Sequence, residues 1–255
     1  MIRFYSDKYP DLVPYSVPAQ LKYWELFERD NMKVYSQIFI NFNAEPGEQT
    51  SCAMLVNKQV IVSASFDVPE DYIEFDDVDK QALILEMIDD ALHKLAVARG
   101  KLSVEWLDKI KAEILPYQFD FWIPVKRLQQ KSGSKEWMAS LVLHPKPGSY
   151  EVYLDIIRNN IPITRHLLYE TIPDRKIAIS LFGEGKWSAD GILSLQSSIA
   201  EIKVRYDAVN DGLDFSLNSQ TAANFWAYGA GRTSNYPDKA VFLERLPVGL
   251  RELLR

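Results

Sequence analysis

The chain has 255 residues, of which 47% are hydrophobic and 25% charged, and a formal charge of −6 at pH 7. That much apolar content with so modest a net charge excludes a disordered chain, and 11 glycines and 13 prolines without a period exclude collagen-like or low-complexity material. A single cysteine, Cys52, cannot form an internal disulfide, which fits a reducing compartment.

At the N-terminus Ser6, Asp7 and Lys8 interrupt the apolar run that a secretory signal needs. The longest apolar run, Ala82–Ile88, is broken by Glu86 and falls short of the ~20 residues of a membrane span. A soluble, cytoplasmic protein is expected. Pro18 suits the first turn of a helix, and Leu21, Trp24 and Phe27 follow it at helical spacing, so a helix is expected from about Pro18 to Arg29. Ile38, Ile40 and Phe42 alternate with Gln37, Phe39, Asn41 and Asn43, a period of two that reads as a strand. Two further β-rich runs, Cys52–Val56 and Gln59–Phe66, flank Asn57-Lys58, a pair suited to a tight hairpin turn.

From Asp77 the period becomes 3.6. Ile84, Leu85, Ile88, Ala91, Leu92 and Leu95 define an apolar face, and Glu86, Asp89, Asp90, His93 and Lys94 the opposite one. Asp76 or Asp77 can cap this helix, and Arg99-Gly100 supplies its stop. A second helix, capped by Ser103 and ending before Pro116, is expected to bury Leu107, Ile110 and Ile114.

Beyond Pro116 the pattern turns to strands. Tyr117, Phe119, Phe121, Ile123 and Val125 alternate, as do Trp137, Ala139, Leu141 and Leu143, then Val152, Leu154 and Ile156. Turn signals at Ser132-Gly133-Ser134, His144–Gly148, Asn159-Asn160, Pro173-Asp174, Gly183-Glu184-Gly185 and Asp211-Gly212 separate them, as in an antiparallel meander. A short helix is expected over Ser194–Glu201 and another near Pro247–Arg255. The fold class is therefore α+β: an acidic N-terminal α/β unit with a long amphipathic helix over residues 1–115, and a mainly antiparallel β meander over 116–255. The two halves could share one sheet.

Charge is uneven. Residues 1–115 hold 12 basic and 20 acidic side chains, a net of −8, and the remainder is net +2. Between Asp67 and Asp90 ten carboxylates face Lys80 alone, a net of −9. Such a lobe repels nucleic acid and attracts a basic surface. Within it, Tyr72, Ile73 and Phe75 interleave with Asp71, Glu74, Asp76, Asp77 and Asp79, and interface cores favour aromatics. The bland alternative is a solvated helix face with capping acids.

No catalytic motif stands out. Glu86, Asp89, Asp90 and His93 could converge on a metal from one helix, but no second such set exists in the sequence, and an exposed stripe with an Asp90–Lys94 pair explains the spacing. Neither a nucleophile elbow nor a phosphate loop is present: Gly183–Ser188 has the wrong spacing and reads as a hairpin turn. Gly229–Ser234, beside Trp226 and Tyr228, could offer backbone N–H groups to an anion, or be a surface loop. His144 falls in a proline-rich turn, His166 in a strand, and Cys52 reads as a small buried hydrophobe.

The expected function is a non-catalytic protein-binding module that presents Asp71, Tyr72, Glu74, Phe75, Asp76, Asp77 and Asp79 to a basic protein. An immunity-type inhibitor of a toxin has that physical logic. The rival readings are a hydrolytic enzyme using carboxylates and a histidine from separate segments, and a structural component of an assembly. No cofactor, metal, nucleic-acid or membrane partner is expected.

Overall fold

The computed structural model describes residues 2–32, 34–43, 50–125, 130–173, 178, 184–196, 203–216, 238–244 and 251–252. The chain divides into two compact units, residues 1–121 with 145–148, and residues 122–144 with 149–255. Among the described residues the strands form three separate sheets, and none of them is shared by the two halves of the chain as the sequence allowed.

The first unit is α/β. Strands β1 (Ile2–Tyr5), β2 (Gln37–Asn41), β3 (Ser51–Met54) and β4 (Gln59–Ser63) order as β1-β2-β4-β3; β1, β2 and β4 run parallel and β3 is antiparallel to β4. Strand β1 had no sequence expectation: four residues carry too little alternation to be distinguished from a loop. Ile2, Phe4, Ile38, Ile40, Val60 and Val62 bury one face of the sheet, and their neighbours on the other face stay partly exposed. Asn57 and Lys58 both adopt positive φ in the β3–β4 turn, as a tight hairpin requires.

Helices α1 (Ser16–Arg29), α2 (Asp77–Arg99) and α3 (Val104–Ile114) pack with this sheet and with one another. The caps of α2 and α3 follow the sequence reading. Asp76 accepts from the Asp79 N–H at 2.8 Å, Ser103 accepts from the Trp106 N–H at 3.2 Å, and Gly100 closes α2 at φ +61°. In α1 Leu21, Tyr23 and Leu26 are buried along with the first turn, Ser16 to Ala19, whereas Trp24 and Phe27 remain half-buried.

The expected strand over Tyr117–Val125 is a correction. Leu115–Tyr117 is a 3-10 turn, Gln118 and Phe119 have positive φ, and only β5 (Ile123–Pro124) is extended. Phe119, Phe121, Ile123 and Val125 are buried nonetheless, so the alternation reported burial and not a strand.

In the second unit β5, β7 (Trp137–Lys146), β8 (Ser149–Arg158) and β9 (Ile161–Thr171) form one sheet in that order, with β6 (Gln130–Lys131) also paired to β7. Strands β10 (Glu184–Trp187), β11 (Ile192–Gln196), β12 (Lys203–Asp207) and β13 (Gly212–Ser216) form an antiparallel meander, and α4 (Lys239–Glu244) follows. Three expectations change here. His144 lies in β7 and not in a turn, Glu184-Gly185 lie in β10, and Ser194–Gln196 end β11 where a helix was expected. The Gly229–Ser234 loop, Trp226 and Tyr228 lie outside the described residues, as does most of Pro247–Arg255.

Candidate functional site

The acidic segment enters α2 through a 3-10 turn at Tyr72–Glu74, with Phe75 extended and Asp76 as N-cap. Asp77 and Asp79 occupy the first helical turn, where the N-terminal end of the helix dipole favours negative charge. All seven residues singled out from sequence thus lie on one continuous stretch. Asp71, Glu74, Asp76, Asp77 and Asp79 are exposed, and Tyr72 and Phe75 are half-buried. Tyr72 packs edge-on against Tyr9, with ring centroids 5.7 Å apart. Ile73, between the acids, is 67% exposed, and Val78 is exposed as well.

Among the described residues none of Asp67, Glu70, Asp71, Glu74, Asp76, Asp77 or Asp79 forms an ion pair. Two lysines lie over neighbouring aromatics: Lys80 Nζ is 5.4 Å from the Tyr15 ring centroid and Lys8 Nζ 5.8 Å from that of Tyr9. Asp77 accepts a hydrogen bond from the Tyr15 hydroxyl at 3.0 Å, and burial followed by this acceptor raises the phenol pKa.

The remaining carboxylates behave differently. Asp89, assigned from sequence to the solvent face, is only 6% exposed, which corrects that assignment. Its carboxylate accepts from the Tyr23 hydroxyl of α1 at 3.3 Å and lies 3.2 Å from Lys111 Nζ of α3. Lys111 also binds Glu86 at 2.5 Å, and Asp90 pairs with Lys94 at 2.6 Å as the spacing predicted. His93 contacts the Asp89 carbonyl through Nδ1 at 2.9 Å and the Asp108 carboxylate through Nε2 at 3.0 Å. Burial pulls the His93 pKa down, but the Asp89 carbonyl and carboxylate together with Asp108 outweigh it, so the net shift is upward. For Asp89, burial outweighs Lys111 and His93 and raises the pKa. The Glu86–His93 cluster is a brace joining three helices, and no group of three or more metal-ligating side chains occurs among the described residues.

The other histidines occupy separate polar clusters in the second unit. His144 stacks on Trp122 at 3.9 Å and contacts Glu151 through Nδ1 at 2.9 Å; Glu151 also accepts from the Tyr153 hydroxyl at 3.1 Å. Burial, then the Glu151 charge, pushes the Tyr153 pKa up to about 12. His166 Nε2 and the Tyr206 hydroxyl both reach the same Asp211 oxygen, at 3.1 and 2.9 Å. Cys52 is half-buried on β3, and its thiol pKa is raised by burial, opposite to what an activated nucleophile needs. Sequence reasoning missed one feature of the first unit, a cleft of about 290 Å3 beside Trp24 and Phe27. The helical spacing of those two rings was its only sequence signal, and that spacing reads as core.

Comparison with known proteins finds no matching family, no matching curated protein and no matching solved structure.

Proposed function

We propose that the protein is a non-catalytic binding module whose acidic, aromatic-flanked face at residues 71–79 receives a basic protein partner. A cationic toxin neutralised in the manner of an immunity protein is the role that suits it. One observation carries the reading: five carboxylates within nine residues are exposed and without ion pairs among the described residues, around a largely exposed Ile73. Unpaired exposed carboxylates project a negative potential that accelerates encounter with a cationic surface, while apolar side chains among them supply contact area.

The test begins with co-purification of the partner on the full chain at low salt and its identification by mass spectrometry. Stopped-flow association is then compared for the native chain and the D71N/E74Q/D76N/D77N variant. The variant is expected to associate more slowly and with a flatter salt dependence. Equal association rates at low ionic strength remove the proposal.

A second reading, a structural component of an assembly, draws on β9. This 11-residue strand ends its sheet among the described residues and exposes Ile161 (64%) and Ile163 (51%). Strand edges with outward apolar residues are templates for further pairing. Light scattering after size exclusion tests it: a stable oligomer dispersed by Ile163→Lys supports this reading, and a monomer at all concentrations removes self-assembly.

A further inference from the structure

The cleft in the first unit lies at the C-terminal half of α1 and the N-terminal ends of β1 and β2. Trp24, Phe27, Met32, Tyr35, Ile2 and Ile38 give it an apolar and aromatic lining, completed by Glu28, Ser36 and Lys58. Its volume of about 290 Å3 stands at the lower end of the roughly 300–1,000 Å3 that small-molecule pockets occupy. An aromatic molecule of two or three rings matches that space, and an extended peptide does not.

Charge narrows the ligand further. Lys58 is exposed and forms no ion pair among the described residues. Lys101 Nζ lies 6.0 Å from the Tyr35 ring centroid, so Lys58 and Lys101 border this end of the sheet. Glu28 adds one negative charge to the lining and has an interaction partner of its own, so the surroundings suit a single negative charge and not a polyanion. Tyr35, part of the lining, is 6% exposed, and its buried hydroxyl has no hydrogen-bond partner.

We propose that this cleft binds an aromatic monoanion, its rings against Trp24, Phe27 and Met32 and its acidic group at Lys58. Ring-on-ring contact supplies the apolar part of the affinity, and the ammonium selects the charged ligand over a neutral one of the same shape.

Titration of the full chain with 1-anilinonaphthalene-8-sulfonate tests the site, with N-phenyl-1-naphthylamine as its uncharged counterpart. Single-site saturable fluorescence with the sulfonate, at least tenfold weaker binding of the neutral dye, and at least fivefold weaker sulfonate binding by Lys58→Gln are expected. Lys58 is exposed, so this variant folds and its thermal midpoint stays unchanged. Met32→Trp, which fills the space, is expected to abolish binding, and Ile163→Ser, on β9, to leave it intact. Absence of saturable binding, equal affinity for the two dyes, indifference to Lys58→Gln, or loss of binding in Ile163→Ser overturns the proposal.

Discussion

The ten carboxylates between Asp67 and Asp90 fall into two regions with opposite electrostatic surroundings. Residues 67–79 form the approach to α2 and its first turn, and among the described residues their carboxylates form no ion pair. Glu86, Asp89 and Asp90 lie in the body of the same helix, where Lys111 of α3 and Lys94 of α2 itself neutralise them. The difference follows from position on a helix. A helix end presents N–H groups that carboxylates satisfy without any lysine, whereas mid-helix carboxylates turned toward other helices lose water and need a donor. One run of negative charge in sequence is therefore two objects in space, an exposed stretch without ion pairs among the described residues and a brace paired with lysines of α2 and α3.

The largest effect that tests this contrast comes from the brace. Lys111→Met leaves the Asp89 carboxylate, whose side chain is 9% exposed, with only Tyr23 and the His93 imidazole beside it. A loss of about 3 kcal/mol in urea unfolding is expected, since removing one partner strands a buried charge; a loss below about 1 kcal/mol would show the brace to be inert. Next comes the cap: Asp76→Ala is expected to cost about 1 kcal/mol, and Asp76→Asn, which still caps, far less. Equal losses for the two would deny Asp76 its capping role.

The third effect is a pH dependence. His93 has its pKa raised above 6.5 in the folded state, so the stability it contributes is complete below about pH 6.5 and is lost as pH rises through the folded value. The raised pKa of Asp89 acts with the same sign at lower pH, because there too the folded state binds more protons. Denaturation midpoints of the native chain should therefore fall with rising pH above 6.5 relative to His93→Gln. A rise would contradict the hydrogen bonds to Asp89 and Asp108. The smallest effect belongs to the other region: D71N/E74Q/D79N is expected to change stability by no more than about 0.5 kcal/mol. A larger loss would mean that these carboxylates are engaged within the molecule.

Much of the fold was legible because local rules act on contiguous residues. Asp76, Ser103 and Gly100 stand where capping chemistry put them, and Asn57-Lys58 makes the expected turn; Asp211 has positive φ in the β12–β13 turn, but Gly212 already belongs to β13, so the Asp211-Gly212 turn shifts to residues 208–211. Where the reading failed, a periodic pattern had more than one cause. Phe119, Phe121 and Ile123 alternate because every second side chain is buried, yet positive φ at Gln118 and Phe119 takes the backbone out of a strand. Ser194–Gln196 read as helix until pairing with β12 claimed them. The acidic stretch was legible as a segment, but its exposure was not, and the cleft was invisible because its lining comes from residues 2 to 58 in four separate places.

By itself, then, the sequence determined the caps of α2 and α3, the Asn57-Lys58 turn, the apolar face of α2 and the concentration of negative charge before α2, all of which depend on neighbours a few residues away. Only the tertiary structure decided that Asp89 faces Tyr23 and Lys111, that His93 bridges two helices, and that Trp24 and Phe27 border a cavity. Each of these depends on which helix or strand arrives opposite, and desolvation and ion pairing act through space regardless of separation along the chain.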